Sequence, residues 1–250
     1  MNQLMALYGF NREIKNRRFE TVTNAANTES TLYIYDMIVS DALTAEWMGG
    51  VDAQTFVNAL SAITAPTIHI RINSPGGDVF AARAIEQSIK THPSNIIAHI
   101  DGVAASAATY IALAADEILA NEGALFMIHN AWTSTAGDSR DLMSTANLLS
   151  KIDGTLAQTY STKSGKPIDE ITPLMDAETW FTAQEAVDFG FVDSIEQGKT
   201  AKALWNMAVY KNAPVIEPEQ AAEPELPTNQ PILKPDFSAM ERQLRLATAI

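Results

Sequence analysis

Ser106 and His129 are the residues of this sequence whose types and positions best suit covalent chemistry. A serine is a poor nucleophile at neutral pH unless a base takes its proton and N–H donors receive the oxyanion. Of the four histidines, His69 and His99 alternate with apolar residues inside predicted strands, and His92 precedes a proline. His129 ends a predicted strand and is the candidate base. The residues alone leave two interpretations open, since Ser106 is either a nucleophile or a small residue in a closely packed helix.

Backbone donors for an oxyanion are expected at two loops. The stretch NSPGGD follows a predicted strand, and its paired glycines allow conformations that turn a peptide N–H toward a ligand. Ser106 lies at the predicted start of a helix, where free N–H groups and the helix dipole favour negative charge. Both loops follow strands of a parallel sheet, the edge at which α/β proteins place their sites.

The elements that position these residues alternate regularly along the chain. Predicted strands span 31–39, 67–72, 95–100 and 124–130, and predicted helices span 52–63, 79–92 and 102–113. This order predicts right-handed βαβ crossovers over a largely parallel sheet. The fold class is therefore α/β.

Three further helices are predicted after the site. Apolar spacing over 138–163 predicts an amphipathic helix of about 39 Å, which is longer than one small domain needs and suits contact with a partner subunit. The stretch TAQEAVDFG begins with a predicted capping box, Thr182 with Glu185, and ends at Gly190. A short helix is predicted between them, in PIDEITPLM.

Composition narrows the classes of function. The chain has 250 residues, no cysteine and a formal net charge of −13. Without cysteine there are no disulfides, thiolate metal sites or cysteine nucleophiles, and neither a metal nor a cofactor is predicted. An acidic surface repels phosphate backbones, so no nucleic-acid partner is expected. No apolar run reaches the roughly 18 residues of a membrane span and no secretory signal is recognised, so a cytoplasmic location without membrane contact is predicted.

The chain is predicted to fall into four parts. Residues 1–30 form an amino-terminal extension, 31–197 the globular domain and 198–213 a connecting segment. Residues 214–250 are rich in proline and glutamate, a composition typical of disordered chain, and end in a stretch that could form a short helix, FSAMERQLRLATAI.

Three blocks, INSPGGD, GVAASAA and FMIHN, resemble in order and separation the signature motifs of the Clp-type serine peptidases. The block ETWFTAQEAVDFGFVDSI resembles a further segment of that family, so the resemblance spans 32–197. It implies a ClpP/crotonase-like spiral of βαβ units with a protruding handle helix. By this resemblance Ser106 is the nucleophile, His129 the general base, and Gly77 with Ala107 the donors of the oxyanion hole.

The third member of the triad is less clear from the sequence. The family places an aspartate before its F-x-S/T-A-x-E-A segment, and alignment of that segment puts Glu178 at this position. A glutamate can orient an imidazole as an aspartate does. Asp176 is the alternative acid, and a third interpretation is that both carboxylates only cap or solvate a loop.

The two ends of the chain set it apart from housekeeping Clp peptidases. The amino terminus does not resemble the segment through which those enzymes meet an unfoldase. The wording ETWFTAQEAV and the acidic, proline-rich extension resemble the head maturation proteases of tailed phages and prophages. This resemblance implies cleavage of scaffolding and capsid proteins without ATP, inside the assembling prohead in the host cytoplasm. It also implies a homo-oligomer, ring-like, that contacts neighbouring subunits through helix 138–163.

Several alternative functions stay open at this stage. A degradative ClpP-like peptidase would work with an ATP-dependent unfoldase, and a catalytically inactive homologue would serve a structural or scaffold role. A crotonase-fold acyl-CoA enzyme would share the spiral and the oxyanion hole but would not require Ser106. A Ser/Lys peptidase is disfavoured because no lysine occupies a recognisable position.

Overall fold

The computed structural model describes residues 3–11, 13–14, 17–197 and 205–214. The predicted tail helix lies outside this part of the chain. The described elements, in order, are α1 Gln3–Asn11, β1 Arg18–Thr23, β2 Glu29–Tyr35, β3 Ile38–Val39, α2 Ala42–Met48, β4 Val51–Asp52, α3 Ala53–Ser61, β5 Thr67–Ser74, α4 Val79–Lys90, β6 Asn95–Ala105, α5 Ala107–Leu113, β7 Glu117–Asn121, β8 Leu125–Ile128, α6 Ser139–Ser164, α7 Ile168–Asp176, β9 Thr179–Thr182, α8 Ala183–Phe189 and β10 Ser194–Glu196.

One large sheet organises the described chain. Its main path runs β1-β2-β5-β6-β7-β10, and β8 and β9 extend from the end of β6. The pairs β1–β2 and β8–β9 are antiparallel, whereas β2–β5, β5–β6, β6–β7, β6–β8 and β7–β10 are parallel. A largely parallel sheet covered by crossover helices confirms the predicted α/β class.

Side chains along β5 show why the sheet forms. Ile68, Ile70 and Ile72 are fully buried against the helices, whereas His69 and Arg71 alternate with them on the opposite face. β-branched residues suit a pleated surface of this kind. The same alternation placed the strand correctly from the sequence.

The predicted helix 102–113 is wrong in its first half. β6 continues to Ala105, and the helix α5 begins only at Ala107. The extension forms because β6 changes partner, pairing with β7 through Ile100 and with β8 from Val103 onward. Small apolar residues fit the crowded centre of a sheet as well as they fit a helix, so composition could not separate the two.

The sheet also holds strands that the sequence did not predict. β7 lies between the predicted helix and the predicted strand 124–130, and β1 lies within the predicted extension 1–30. The predicted strand 31–39 is divided into β2 and β3 by Asp36 and Met37. The four domain boundaries stay a prediction.

Capping residues bound two of the helices that follow the site, α6 and α8. Asp138 accepts hydrogen bonds from the first turn of α6, which runs 26 residues and ends at the left-handed Gly165. Thr182 and Glu185 form the predicted capping box of α8, which ends at Gly190. No helix of the described residues is long and apolar enough to cross a membrane.

Residues 205–214 pack onto the body of the domain, although 198–213 was predicted to be a connecting segment. Trp205, Met207 and Tyr210 are buried in a cluster with Leu7 of α1 and with side chains of the sheet. Residues 198–204 lie outside the described chain. The described part of this segment is therefore an integral part of the packed structure, beside the ends of β5 and β8.

Candidate active site

Ser106 occupies the turn between β6 and α5. Its backbone is left-handed, with φ 53° and ψ −124°, and such a conformation costs a non-glycine residue about 1–3 kcal/mol. The Ser106 N–H donates to the Met127 carbonyl at 2.9 Å, and the Ser106 carbonyl accepts from the backbone N–H and hydroxyl of Thr109. These bonds hold the turn, and a sharp strand-to-helix turn projects the serine hydroxyl from the sheet edge.

His129 lies directly after β8, within reach of Ser106. The parallel register places Ala105 opposite Met127, so the residues that follow each strand come together. Ser106 Oγ and His129 Nε2 are 2.6 Å apart, a hydrogen-bond distance. The structure thus brings together the two residues that the sequence paired.

The environment of His129 keeps its imidazole neutral. The side chain is buried, and burial lowers the pKa of His129 from 6.5 to about 4, while the charge of Glu178 opposes the shift. A neutral imidazole can accept a proton at Nε2. Its protonation state at pH 7 is therefore the one that a general base needs.

Gly76 and Gly77 form a loop whose backbone only glycine adopts readily. Their φ values are 90° and 146°, and a Cβ at Gly77 would lie 1.9 Å from the carbonyl oxygen of Ile38. Ile38 N–H donates to the Gly76 carbonyl, and the Ile38 carbonyl accepts from Asp78 N–H, each at 2.9 Å. Ile38 thus bonds to the carbonyl before Gly77 and to the N–H after it. The Gly77 N–H itself has no hydrogen-bond partner among the described residues.

The second predicted donor, the Ala107 N–H, lies against the same loop. Ala107 is the first residue of α5, a position without an intrahelical acceptor. A Cβ at Gly76 would come within 2.9 Å of Ser106 Cβ and 3.0 Å of Ala107 N. The glycine loop and the start of α5 therefore touch, and both predicted donors lie next to Ser106.

The predicted acids lie near His129 but do not bond to it. The Glu178 carboxylate accepts from Asn212 N–H at 2.6 Å and Lys211 N–H at 3.1 Å. Asp176 accepts from the Asn130 side chain at 2.7 Å. No hydrogen bond among the described residues joins either carboxylate to His129 Nδ1, so the assignment of the acid stays a prediction.

His129 and the two carboxylates line the same pocket, which has a volume of about 550 Å³. It is lined by His129, Asn130, Ala131, Trp132, Met175, Asp176, Ala177, Glu178, Val209, Lys211 and Asn212. Apolar and charged side chains share its wall, as is common for sites that bind peptide side chains. Another pocket, between β9 and α8, has neither a serine nor a histidine in its lining. Among the described residues no cluster of histidine and acidic side chains is placed to hold a metal ion.

Tyr210 is a residue of this site that sequence reasoning missed. Its ring packs edge-on against His129 with the centroids 5.4 Å apart, and its hydroxyl donates to the Pro75 carbonyl at 2.5 Å. Burial raises the pKa of the Tyr210 phenol, and the nearby Glu178 charge adds to this, while an interaction with the Ser106 hydroxyl opposes it. The available signal was the apolar content of WNMAVY inside a segment predicted to be a connector.

A serine hydroxyl bonded to a buried neutral histidine, at the edge of a mostly parallel sheet, is the arrangement of a serine hydrolase. A family model described as Clp protease matches residues 15–199. The chain therefore belongs to the Clp protease family, and it is a serine peptidase.

Relatives of known name agree with the family match. The chain is 33% identical over 132 residues to the ATP-dependent Clp protease proteolytic subunit 1 of Leifsonia xyli subsp. xyli, covering 52% of this chain and 67% of that protein. It is 32% identical over 134 residues to the ATP-dependent Clp protease proteolytic subunit of Streptococcus salivarius, covering 51% and 67%.

A solved structure confirms the predicted fold. A ClpP1 mutant from Listeria monocytogenes superimposes with a TM-score of 0.56 at 25% identity. The match covers 72% of this chain and 95% of that one.

Proposed function

We propose that this protein is a serine endopeptidase in which Ser106 is the nucleophile and His129 the general base. The observation that carries the proposal is the 2.6 Å contact between Ser106 Oγ and His129 Nε2, next to two unpaired N–H groups. The N–H groups of Gly77 and Ala107 would receive the oxyanion.

The reaction follows from these positions. Ser106 Oγ attacks the substrate carbonyl carbon while its proton passes to His129 Nε2, and the carbonyl oxygen becomes an oxyanion facing Gly77 and Ala107. The tetrahedral intermediate collapses to an acyl-enzyme, the C–N bond breaks, and His129 gives the proton to the leaving amine. Water then attacks the ester with His129 again acting as base, which restores the Ser106 hydroxyl.

Glu178 is proposed as the residue that orients His129 during this cycle, with Asp176 as the alternative acid. Support comes from its position at the border of the same pocket and from its charge, which raises the pKa of His129 against burial. In this role the carboxylate would accept a hydrogen bond from His129 Nδ1 and stabilise the imidazolium.

For the substrate, we propose scaffolding and capsid proteins of a phage head, cleaved without ATP in the assembling prohead. The resemblance of ETWFTAQEAV and of the acidic residues 214–250 supports this proposal.

Incubation with candidate scaffolding and capsid proteins, without nucleotide, tests this substrate assignment. We expect discrete cuts, mapped by mass spectrometry, that are absent with the Ser106→Ala variant. If the candidate substrates stay intact while Ser106 still reacts with a fluorophosphonate, the substrate assignment is wrong but the serine peptidase assignment holds. Absence of both cleavage and labelling would point to a catalytically inactive homologue.

A degradative peptidase that works with an ATP-dependent unfoldase is the second candidate. The relatives from Leifsonia xyli and Streptococcus salivarius are named as ATP-dependent proteolytic subunits, which favours it. Adding a purified unfoldase and ATP separates the two candidates, because only the second predicts that protein degradation is strongly stimulated.

The assembly is proposed to be a ring-like homo-oligomer with contacts through α6. Buried residues of α6 lie in its second half, whereas Leu142, Met143 and Leu148 in its first half are exposed. Large apolar side chains on an exposed helix mark an interaction surface. Native mass spectrometry should give an oligomer for the wild-type chain and smaller species for the Leu142→Ser/Leu148→Ser variant, and a wild-type monomer would contradict the proposal.

A further inference from the structure

Residues 205–214, here named the latch segment, lie across the candidate active site. The Trp205 indole N–H donates to the Asn73 carbonyl at 2.9 Å, and the Tyr210 hydroxyl donates to the Pro75 carbonyl. Both carbonyls belong to the end of β5 and the turn that leads into Gly76 and Gly77. The latch segment is therefore fastened to the chain that supplies one of the predicted oxyanion donors.

Tyr210 packs against the candidate base. Its buried ring lies edge-on to His129, with the ring centroids 5.4 Å apart. The latch segment therefore contacts His129 as well as the chain that carries Gly77.

The latch segment also binds the proposed acid. Glu178 accepts one hydrogen bond from Asn212 N–H and one from Lys211 N–H, and the Asn212 side chain donates to the Ala177 carbonyl at 2.6 Å. Hydrogen bonds to an ionised carboxylate are among the stronger ones in proteins. In this arrangement His129 Nδ1 has no acceptor among the described residues, and the predicted triad is incomplete.

One buried group beside the docked segment is left unsatisfied. The side-chain oxygen of Asn73, the residue whose carbonyl Trp205 contacts, is buried without a hydrogen-bond partner. An unpaired buried acceptor raises the free energy of the docked state.

We propose that the latch segment is an intramolecular inhibitor, which packs against His129 and holds the Glu178 carboxylate in hydrogen bonds to its own backbone rather than to His129. This inference rests on the proposed function, because it assigns a regulation to the same serine peptidase site. When the latch segment leaves, the Glu178 carboxylate is free to accept from His129 Nδ1 and complete the triad. The inhibitor is thus residues 205–214 of this chain.

Two full-length variants at one position test the latch. Asn212→Pro deletes the N–H that bonds to Glu178, whereas Asn212→Ala keeps that N–H and removes only the side-chain bond to Ala177. The readout is the rate at which a fluorophosphonate labels Ser106. Asn212→Pro should label about 10- to 100-fold faster than the wild-type chain, the effect of losing one hydrogen bond to a charged group, while Asn212→Ala, which loses only a neutral bond of the latch, should give a clearly smaller increase.

A second measurement covers the case in which proline disturbs folding. Thermal unfolding of each variant is recorded first, and Tyr210→Leu, which keeps an apolar side chain but removes the bond to Pro75, is labelled in parallel. Hydrogen exchange of the 205–214 amides should be slow in the wild-type chain and fast in the variants that label faster. A synthetic peptide of sequence WNMAVYKNAP should slow the labelling of the released variants in trans.

The outcomes separate the latch from the function on which it rests. If Asn212→Pro and Tyr210→Leu fold normally but their Ser106 is labelled no faster than that of the wild-type chain, the latch proposal is wrong and the serine peptidase stands. If neither the wild-type chain nor any variant is labelled above the level of Ser106→Ala, the proposed nucleophile is wrong, and the latch proposal fails with it.

Discussion

Two sides of the candidate site are built in different ways. On the nucleophile side, Ser106, His129 and Gly77 lie at the ends of neighbouring strands, and the sheet register fixes their separations. On the acid side, Glu178 lies in the turn between α7 and β9, and its carboxylate is bound by N–H groups 33 and 34 residues further along the chain. The nucleophile side is therefore fixed by the fold, whereas the acid side depends on which partner Glu178 takes.

Ser106→Ala gives the largest expected effect and tests the nucleophile side. Removal of a nucleophilic serine lowers kcat by roughly 10⁶-fold in enzymes of this mechanism. The melting temperature should stay close to that of the wild-type chain, since the smaller side chain leaves the bond to Met127 in place. Peptide hydrolysis and thermal unfolding measure both quantities, and residual activity within tenfold of wild type would remove Ser106 from the mechanism.

Glu178→Gln compared with Asp176→Asn tests the acid side. An imidazole held in the wrong tautomer costs about 10⁴-fold in kcat, and we expect this loss for Glu178→Gln. The charge of Glu178 raises the pKa of His129 against burial, whereas Asp176 is bonded to Asn130, so Asp176→Asn should cost far less.

The same pair of substitutions in the Asn212→Pro background sharpens that ranking. There the latch no longer competes for Glu178, so the difference between the two substitutions should widen. The reverse ranking would move the acid to Asp176.

Gly77→Ala tests whether the strand ends are as rigid as the register indicates. A methyl group there would meet the Ile38 carbonyl at 1.9 Å, at a φ of 146° that L residues rarely adopt. The loop must shift, and loss of one oxyanion donor costs about 10²–10³-fold in kcat. A lower kcat with an unchanged KM would support the donor role. Gly9→Ala is the matched control, because a Cβ at Gly9 meets nothing within 4 Å.

The pH dependence gives the smallest expected effect and compares the two sides directly. His129 must be neutral to act as base, and burial lowers its pKa to about 4, so the acid limb of Ser106 labelling should have its midpoint well below 6.5. Release of the latch exposes the ring and should move the midpoint upward. The unfolded chain binds this proton more readily, so folding stability contributed by neutral His129 is lost as the pH falls from 6.5 toward 4. A wild-type midpoint at or above 6.5 would contradict the buried, neutral base.

The sequence paired Ser106 with His129, which lie within hydrogen-bond distance, because short-range signals place both residues. The glycines of NSPGGD, the alternation in β5 and the position of His129 after a strand are all readable within about ten residues. The capping box at Thr182 could be predicted for the same reason.

The acid side was not predictable in the same way. The contacts of Tyr210 with His129 and of Asn212 with Glu178 join parts of the chain far apart in sequence, and no periodicity reports them. The end of β6 was missed for a related reason, since its extension depends on pairing with β8. Pairing between distant segments is a tertiary effect that overrides local propensity.

The late position of the latch segment has a consequence for newly made protein. During translation His129 leaves the ribosome before Tyr210 by about 80 residues, which at typical elongation speeds corresponds to roughly 4–16 s. The strands that carry Ser106 and His129 are complete in that interval, whereas the contact of Asn11 with Asn206, 195 residues apart, is not. A nascent chain with this topology therefore passes through an interval in which Ser106, His129 and Glu178 have been synthesised and the segment that binds the Glu178 carboxylate has not.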